Sequence, residues 1–581
     1  MDMIDILIWA AEGMGNGENP SIRDVRAYVS CRGYDRILQS ARFFVNQGGT
    51  ADNKNYSSLT EQHVSVRDFF IIAGPPKGRG ITTRREKTKR RFIMKILPEL
   101  SEVRRIAKEG DYRVFPVSCE LMSDFTTPIE TVRVLRNVSK HCFLLESAKA
   151  EEKWGRYTFL GYDPKLSITC SDGDIRIGNV RMETDDPSEC IRNVLKDFKS
   201  PKLDYLPPFT GGLVGYFSYD YLKYSEPKVR CDVEDTEGFM DVDLMLFDRV
   251  IAFDNMRQKI VLIINMSLDD IDSAYNKAVL ELKAMAELLV KGEKRKEPEG
   301  RITGEVKALF GKDEFCEMVE KGKKYIYEGD IFQIVLSNRL EVPFEGSLLN
   351  TYRNLRTINP SPYMFYFAGT DVEVAGASPE TLVKLEDGVL HTFPLAGTRK
   401  RGKDEEEDRV LEAELLADEK ELAEHNMLVD LGRNDLGRVS RFGTVEVESL
   451  RQIQRFSHVC HIGSTVRGEI SEGKDALDAI ASVLPAGTLS GAPKIRACQL
   501  IGELENNKRG IYGGAVGYID FTGNMDTCIG IRLVYKKNGK AFVRSGAGIV
   551  ADSVPELEYE ESMNKARASL EALLGSGEVR P

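Results

Sequence analysis

The chain has 581 residues, 42% of them hydrophobic and 29% charged, with a formal net charge of -11; this predicts two to four ordinary globular domains and argues against a general nucleic-acid binder. No apolar run reaches the roughly 20 residues of a membrane span, and the first residues lack the basic and apolar regions of a signal peptide. Ten scattered cysteines form no CxxC pair and no Cys/His cluster at zinc spacing, which predicts reduced thiols and a cytoplasmic protein.

Residues 1–93 carry 15 Lys+Arg against 10 Asp+Glu and include the run KGRGITTRREKTKRR. They read as a basic, solvated and disordered extension, or as a misplaced start ahead of Met94; nucleic-acid binding through residues 77–91 is the competing reading. From about 111 to 265, short β-like runs such as CFLLES, RYTFLGYDP, GGLVGYFSYDYL and KIVLIIN alternate with turn residues. Residues 268–292 have the spacing of an amphipathic helix capped by Ser267 or Asp269. The charged stretch 292–305 is the candidate linker, dividing a β-rich domain over 94–300 from an α/β domain over 301–575.

Beyond it, DEFCEMVEKGKKYIYEG predicts a helix and DIFQIVLSNRLEV a strand. A long acidic helix follows, its first turn (Asp404, Glu405, Glu406, Glu407) set against the helix dipole. Asn538 and Gly539 predict a tight hairpin between two late strands. The class is α+β, with mixed sheets and helices packed outside.

Two acidic pairs recur at helical spacing. Glu421 and Glu424 project from one helix face, and so do Glu558 and Glu561, with Lys565 four residues on. Two such pairs can share a hard cation such as Mg2+, completed by substrate oxygens and water; solvated acidic faces are the alternative.

An ordered set of motifs decides between them: DIFQIVLSNR, NPSPYMFYF, AGASPE, PLAGTRKRG, DEKELAEHNMLVDLGRND, HIGSTVRG, LPAGTLSGAPKIRA, YGGAVGY, SGAGIVADS and ELEYEESMNKA. Together they closely resemble the large subunits of anthranilate synthases, a family of chorismate-utilising enzymes, over about 110–575. The resemblance implies mostly antiparallel sheets forming a β-sandwich core with helices outside. It also implies a regulatory role for 94–300 and a chorismate-binding catalytic role for 301–575.

By resemblance, Mg2+ lies between two helices at Glu424 and Glu561, with Glu421 and Glu558 as further ligands or water holders. Glu380 matches the general acid that protonates the departing C4 hydroxyl, His461 a catalytic histidine near the ring, and Thr488 a residue beside the substrate carboxylate. Arg532, Tyr512 and the backbone of a Gly546, Ala547, Gly548 turn are implied to hold the enolpyruvyl side chain. Gln333, Ala396, Gly397 and Thr398 are placed along the substrate, and Lys565 adds positive charge at its carboxylate.

Two positions separate relatives. Water-adding relatives carry a lysine base where this chain has Gln333, and a neutral amide takes no proton from water. Relatives making the para-amino isomer often carry a lysine nucleophile where Ala396 stands, and alanine cannot attack. The expected reaction is therefore ammonia addition at C2, loss of the C4 hydroxyl and elimination of pyruvate, giving anthranilate. The alternatives are a 4-amino-4-deoxychorismate synthase and a catalytically silent tryptophan-sensing subunit.

LLES, with Glu146 and Ser147, resembles one part of the family's tryptophan feedback site; Arg156 is a further contributor. The other part matches Pro362, Tyr363, Met364, Phe365, Val516, Gly517, Tyr518 and Cys528. No glutaminase signature is present, so ammonia is expected from a separate glutamine amidotransferase subunit.

Overall fold

A strand covered on both faces reads as a continuous apolar run, and KIVLIINMS, VDLMLF and YMFYFA are such runs. The computed structural model describes residues 94–148, 155–229, 233–455 and 459–575; the expectations for 1–93 lie outside them. In the strand Lys259–Ser267, Ile260, Leu262 and Ile264 point into one apolar layer while Val261 and Ile263 point into another. The strand Tyr363–Ala368 divides alike, Met364 and Tyr366 to one side, Phe365 and Phe367 to the other. Period two thus sorts one strand's side chains between two cores.

Among the described residues the strands form two large sheets with antiparallel neighbours. A shared core of Phe143, Phe159, Phe209, Tyr216, Phe247, Phe365 and their neighbours fills the space between them. Helices cover the outer faces. Leu100–Ile106, Pro128–Val138, Ile271–Lys291, Leu349–Ile358 and Pro555–Leu574 pack on the first sheet. Pro187–Lys196, Glu419–Gly437 and Ala476–Val483 pack on the second. This is the expected α+β sandwich with its helices outside.

Each sheet has one half from before residue 300 and one from after it. Cys142–Glu146 pairs with Tyr363–Ala368 (Leu145 opposite Phe365), and Gly212–Phe217 pairs with Ala515–Asp520 (Tyr216 opposite Val516). The described residues accordingly form one compact unit. The division expected at 300 separates contributions to shared sheets, because backbone hydrogen bonds run through both junctions.

Other local expectations shift. The helix Ile271–Lys291 is capped by Asp270, whose carboxylate accepts from Ser273 N at 3.3 Å, in place of Ser267 or Asp269. The long acidic helix is two helices, Glu405–Ala417 and Glu419–Gly437. Asp418 ends the first in an extended conformation and caps the second, accepting from Lys420 N and Glu421 N at 3.1 and 3.2 Å. Asn538 and Gly539 both take positive φ at the expected hairpin. Among the described residues the eight cysteines are free, and no helix is long and apolar enough to cross a membrane.

Candidate active site

Glu380 sits between the strands Glu373–Ser378 and Thr381–Glu386, its backbone fixed by Ile529 N donating to its carbonyl at 3.0 Å. Thr488, in the 3-10 turn Gly487–Leu489, donates to the Glu380 carboxyl at 3.3 and 3.4 Å. Burial pushes this carboxyl up to about 8, against a smaller downward pull from Thr488. Near neutral pH it therefore holds a proton to give, the state a general acid requires. Glu380, Thr488 and Asp435 border a cavity of about 40 Å³, enough for a few atoms.

His461 lies on the strand Val459–Glu469, opposite Thr398 of Leu395–Lys400. The register shifts between Ala396 and Thr398, and Gly397 in the gap has φ +68°. This bulge turns the Gly397 carbonyl toward the imidazole, 2.9 Å from His461 Nδ1, with Thr398 Oγ1 at 3.1 Å. Burial lowers the His461 pKa, and the Arg532 charge acts in the same direction while the Gly397 carbonyl and Glu421 oppose it. The imidazole is neutral at pH 7, with its proton on Nδ1 by the hydrogen bond to Gly397.

Arg532, Tyr512 and the 546–548 segment are the residues expected at the enolpyruvyl side chain, and the Arg532 charge acts on both His461 and Tyr512. Arg532 immediately precedes the strand Leu533–Lys537 and takes φ +54°, left-handed for a residue with a Cβ. Ala377 N donates to its carbonyl at 3.0 Å, and its guanidinium reaches Lys565 O at 2.6 Å. Burial lowers its pKa, opposed by Tyr512 and Glu561. Tyr512 is buried, and desolvation pushes its phenol up to about 12. Gly546, Ala547 and Gly548 are not a turn: they lie in the strand Lys540–Ile549, opposite Ser337, Leu336 and Val335. The lack of side chains still matters, because a Cβ on Gly546 would stand 2.4 Å from Leu336 O and one on Gly548 2.8 Å from Gln333 Nε2. Gln333, 7% exposed, is thereby packed against the Gly548 backbone.

The helices Glu419–Gly437 and Pro555–Leu574 bring both acidic pairs into one electrostatic neighbourhood. Burial raises the Glu424 pKa, with Glu421 and Glu561 acting in the same sense against Lys565 and Lys420. Burial likewise raises Glu558, helped by Glu561 and opposed by Ser553. Glu561 is held by Lys565 at 2.6 Å and Glu421 by Arg399 at 3.4 Å. With those pairs formed, no three acidic, histidine or cysteine side chains among the described residues converge on one metal position. The donor chemistry suits a hard cation: all-oxygen ligands whose mutual repulsion a cation relieves.

A cavity of about 310 Å³ lies across the junction of the two halves. Its lining includes all ten residues of the expected feedback site: Glu146, Ser147, Pro362, Tyr363, Met364, Phe365, Val516, Gly517, Tyr518 and Cys528. Glu146 is held by the Tyr352 hydroxyl at 2.5 Å and by Arg356 at 2.6 Å. Arg156 instead pairs with Asp254 at 2.7 Å. Asp526, half-buried and accepting from Tyr363 at 2.8 Å, is a polar wall residue that the sequence reading missed. The two cavities share strands: Pro379 and Thr381 face the larger and Glu380 and Leu382 the smaller, as do Cys528 and Ile529 in turn, while Thr381 borders both.

Residues 140–571 match the family of chorismate binding enzymes. The anthranilate synthase component 1 of Acetivibrio thermocellus is 47% identical over 501 residues, covering 83% of this chain and 99% of that protein. The component 1 of Aquifex aeolicus (strain VF5) is 46% identical over 486 residues, covering 82% and 97%. Among solved structures, anthranilate synthase component I from Streptococcus pneumoniae TIGR4 superposes with a TM-score of 0.65 at 36% identity, covering 72% of this chain and 93% of that one. The menaquinone-specific isochorismate synthase MenF from Escherichia coli, at 18% identity and a TM-score of 0.59, shares the fold. The chain, with a half-buried acid at Glu380 and a bulge-oriented His461, belongs to the chorismate binding enzymes and, among them, to the anthranilate synthase component 1 family.

Proposed function

We propose that the chain is the synthase subunit of an anthranilate synthase: a lyase that turns chorismate and ammonia into anthranilate, pyruvate and water, the first committed step of tryptophan synthesis. The observation that carries the chemistry is the half-buried Glu380 carboxyl, protonated near neutral pH and aligned by Thr488. Glu380 gives its proton to the C4 hydroxyl of chorismate, which leaves as water while ammonia bonds at C2 and the ring double bonds shift. Removal of the C2 proton then restores aromaticity, and the enolpyruvyl ether departs as pyruvate.

The chain's other groups orient the substrate. Arg532 offers two parallel hydrogen bonds to the enolpyruvyl carboxylate, and Tyr512 and the 546–548 backbone border it. Lys565 and the carboxylates of Glu424, Glu561, Glu421 and Glu558 stand at the ring-carboxylate end. When bound, Mg2+ supplies a positive centre for that carboxylate and fixes the ring. Gln333 and Ala396 supply neither a base for water nor a nucleophilic amine, which favours ammonia as the attacking group. A glutamine amidotransferase partner delivers it.

The larger cavity takes tryptophan as feedback inhibitor, its apolar walls suiting an indole and Glu146 or Asp526 its ammonium. We place the protein in the cytoplasm, where its free thiols are stable. The test is fluorescence detection of anthranilate from chorismate and ammonium, with and without Mg2+ and tryptophan. A para-aminobenzoate precursor as product assigns the chain to the 4-amino-4-deoxychorismate synthases instead, and no turnover makes it a silent sensing subunit.

A further inference from the structure

Behind the anion end of the site lies a charged cluster that the reaction does not use. The side chains of Glu505, Arg509 and Arg544 are 1% exposed or less. Arg509 donates to both Glu505 carboxylate oxygens, at 2.5 and 2.9 Å, and Arg544 Nη2 donates to Oε2 at 2.7 Å. Despite the upward push of burial, the two guanidiniums hold the Glu505 carboxyl below its ordinary range, so the trio is ionised and carries one net positive charge.

Arg544 Nη1 donates to Asn507 Oδ1 at 2.8 Å and to Lys508 O at 3.1 Å, and the other hydrogen bonds of the cluster end on segments next to substrate residues. Arg509 Nη1 donates to Leu489 O at 2.7 Å, one residue beyond Thr488, and Nη2 to Val335 O at 2.8 Å, opposite Gly548. Arg544 Nε donates to the Ser337 hydroxyl at 2.9 Å, opposite Gly546, and that hydroxyl donates to Glu505 at 3.0 Å. The Arg509 guanidinium stands 5.9 Å from the Tyr512 ring. Burial dominates the environment of the Tyr512 phenol, and the charges acting on it are those of Arg509, Glu505, Arg544 and Arg532.

We propose that Glu505, Arg509 and Arg544 are positioning residues for the carboxylate end of chorismate: they lock the Thr488 turn, the Gln333 strand and the glycine strand together and set a buried positive charge behind Tyr512. This rests on the assignment of Arg532 and Tyr512 to the enolpyruvyl carboxylate given above. A charge in low dielectric acts on a substrate anion without touching it.

The test is steady-state kinetics of the full chain with chorismate, ammonium and Mg2+, on variants whose fold is checked by near-ultraviolet circular dichroism. Arg544→Met, which neutralises the cluster, is expected to raise KM for chorismate about tenfold with kcat within threefold, the pattern of lost ground-state and transition-state binding alike. Arg544→Lys is expected to recover most of that loss. Glu505→Gln, which leaves two positive charges, is expected to lower KM or leave it unchanged. Equal rises in KM for Arg544→Met and Glu505→Gln, or a fall confined to kcat, overturn the proposal in favour of a plain scaffold. Losing one partner of a buried ion pair is strongly destabilising. Where those variants do not fold, Ser337→Ala decides: a KM rise of about threefold supports the proposal and an unchanged KM overturns it. A wild-type chain without turnover overturns the functional reading and this inference together, whereas an active wild type with the contrary variant pattern overturns this inference alone.

Discussion

The Tyr363 hydroxyl lies 2.9 Å from that of Thr381 and 2.8 Å from the Asp526 carboxylate. With one proton to give, Tyr363 donates to Asp526 and accepts from Thr381. A wall of the larger cavity is thus bonded to the residue that directly follows Glu380. On the proposed feedback reading, tryptophan seated against Tyr363 would act on the candidate acid through this bond, a physical route provided the two Glu380 positions bind the effector unequally. Thr381→Val removes the bond while keeping the side chain's size. Calorimetric binding of tryptophan is expected to stay within about threefold, while the concentration for half-inhibition rises about tenfold, within the usual range of coupling factors. Inhibition that follows binding in the variant as it does in the wild type rules this route out.

Glu380 fixes the pH dependence. Its carboxyl is raised to about 8 by burial, so the proton-donating form persists below that pH and is lost above it. The acid-requiring step therefore slows as pH rises through about 8, and Glu380→Gln is expected to reduce kcat by about 10²–10⁴, the usual contribution of general acid catalysis. Stability moves in the same direction. A raised carboxyl favours the folded state below the ordinary carboxylate pKa, and that advantage is lost as pH climbs from there through about 8. The Gln variant should lose this part of the pH dependence in thermal melts from pH 5 to 9; an unchanged slope places the buried proton on another group.

Much of this organisation was legible in sequence where it depends on local pattern. Period-two apolar runs marked the strands, Asn538 and Gly539 the hairpin, and glutamates at i and i+3 the facing helix surfaces. The break at Asp418 was also written locally, since Asp418 precedes Glu421 at the spacing of a capping box, but the unbroken helix-forming composition on both sides hid it. What stayed hidden depends on partners far apart in sequence. Leu145 opposite Phe365 and Tyr216 opposite Val516 join the halves, and nothing in either strand names its partner. Charged residues were the least legible: nothing local in ELENNKR marks Glu505 and Arg509 as buried, which they are because Arg544, 35 or more residues on, completes their pairing. The SGAG segment reads as a turn by its glycines, and only the Leu336 carbonyl beside Gly546 shows why a strand needs them.

The acidic pairs predict how the rate responds to magnesium. Burial and its neighbours Glu421 and Glu561 disfavour Glu424 as an anion, so a cation there offsets that cost. Glu424→Gln is expected to raise the Mg2+ concentration for half-maximal rate by about 10–100-fold, the scale seen when support of a metal site is lost. Lys565→Met should act in the opposite sense on metal affinity, because it releases Glu561 from a 2.6 Å ion pair, while weakening chorismate binding. A Mg2+ titration of both variants checks the pair. An unchanged Mg2+ dependence in Glu424→Gln removes this helix from metal binding.

Gly397 supplies the last test, because strain and function separate there. Its φ of +68° costs an alanine about 1–2 kcal/mol. A Cβ would also meet Leu415 Cδ1 at 3.0 Å, Glu421 Oε2 at 3.2 Å and Ile462 Cδ1 at 3.3 Å. Gly443, with φ +80° and open space around its Cβ position, carries the same backbone strain and no clash. Both alanine variants are expected to lose about 1–2 kcal/mol of stability for the left-handed backbone alone. Only Gly397→Ala closes the bulge and swings the carbonyl away from His461 Nδ1, so only it should lower kcat, by about tenfold, one step of 1.36 kcal/mol in the barrier. The rate loss should vary with pH, since the Gly397 carbonyl stabilises the protonated imidazole and its loss moves the His461 pKa further down. Equal kcat in the two variants at every pH separates the bulge from catalysis.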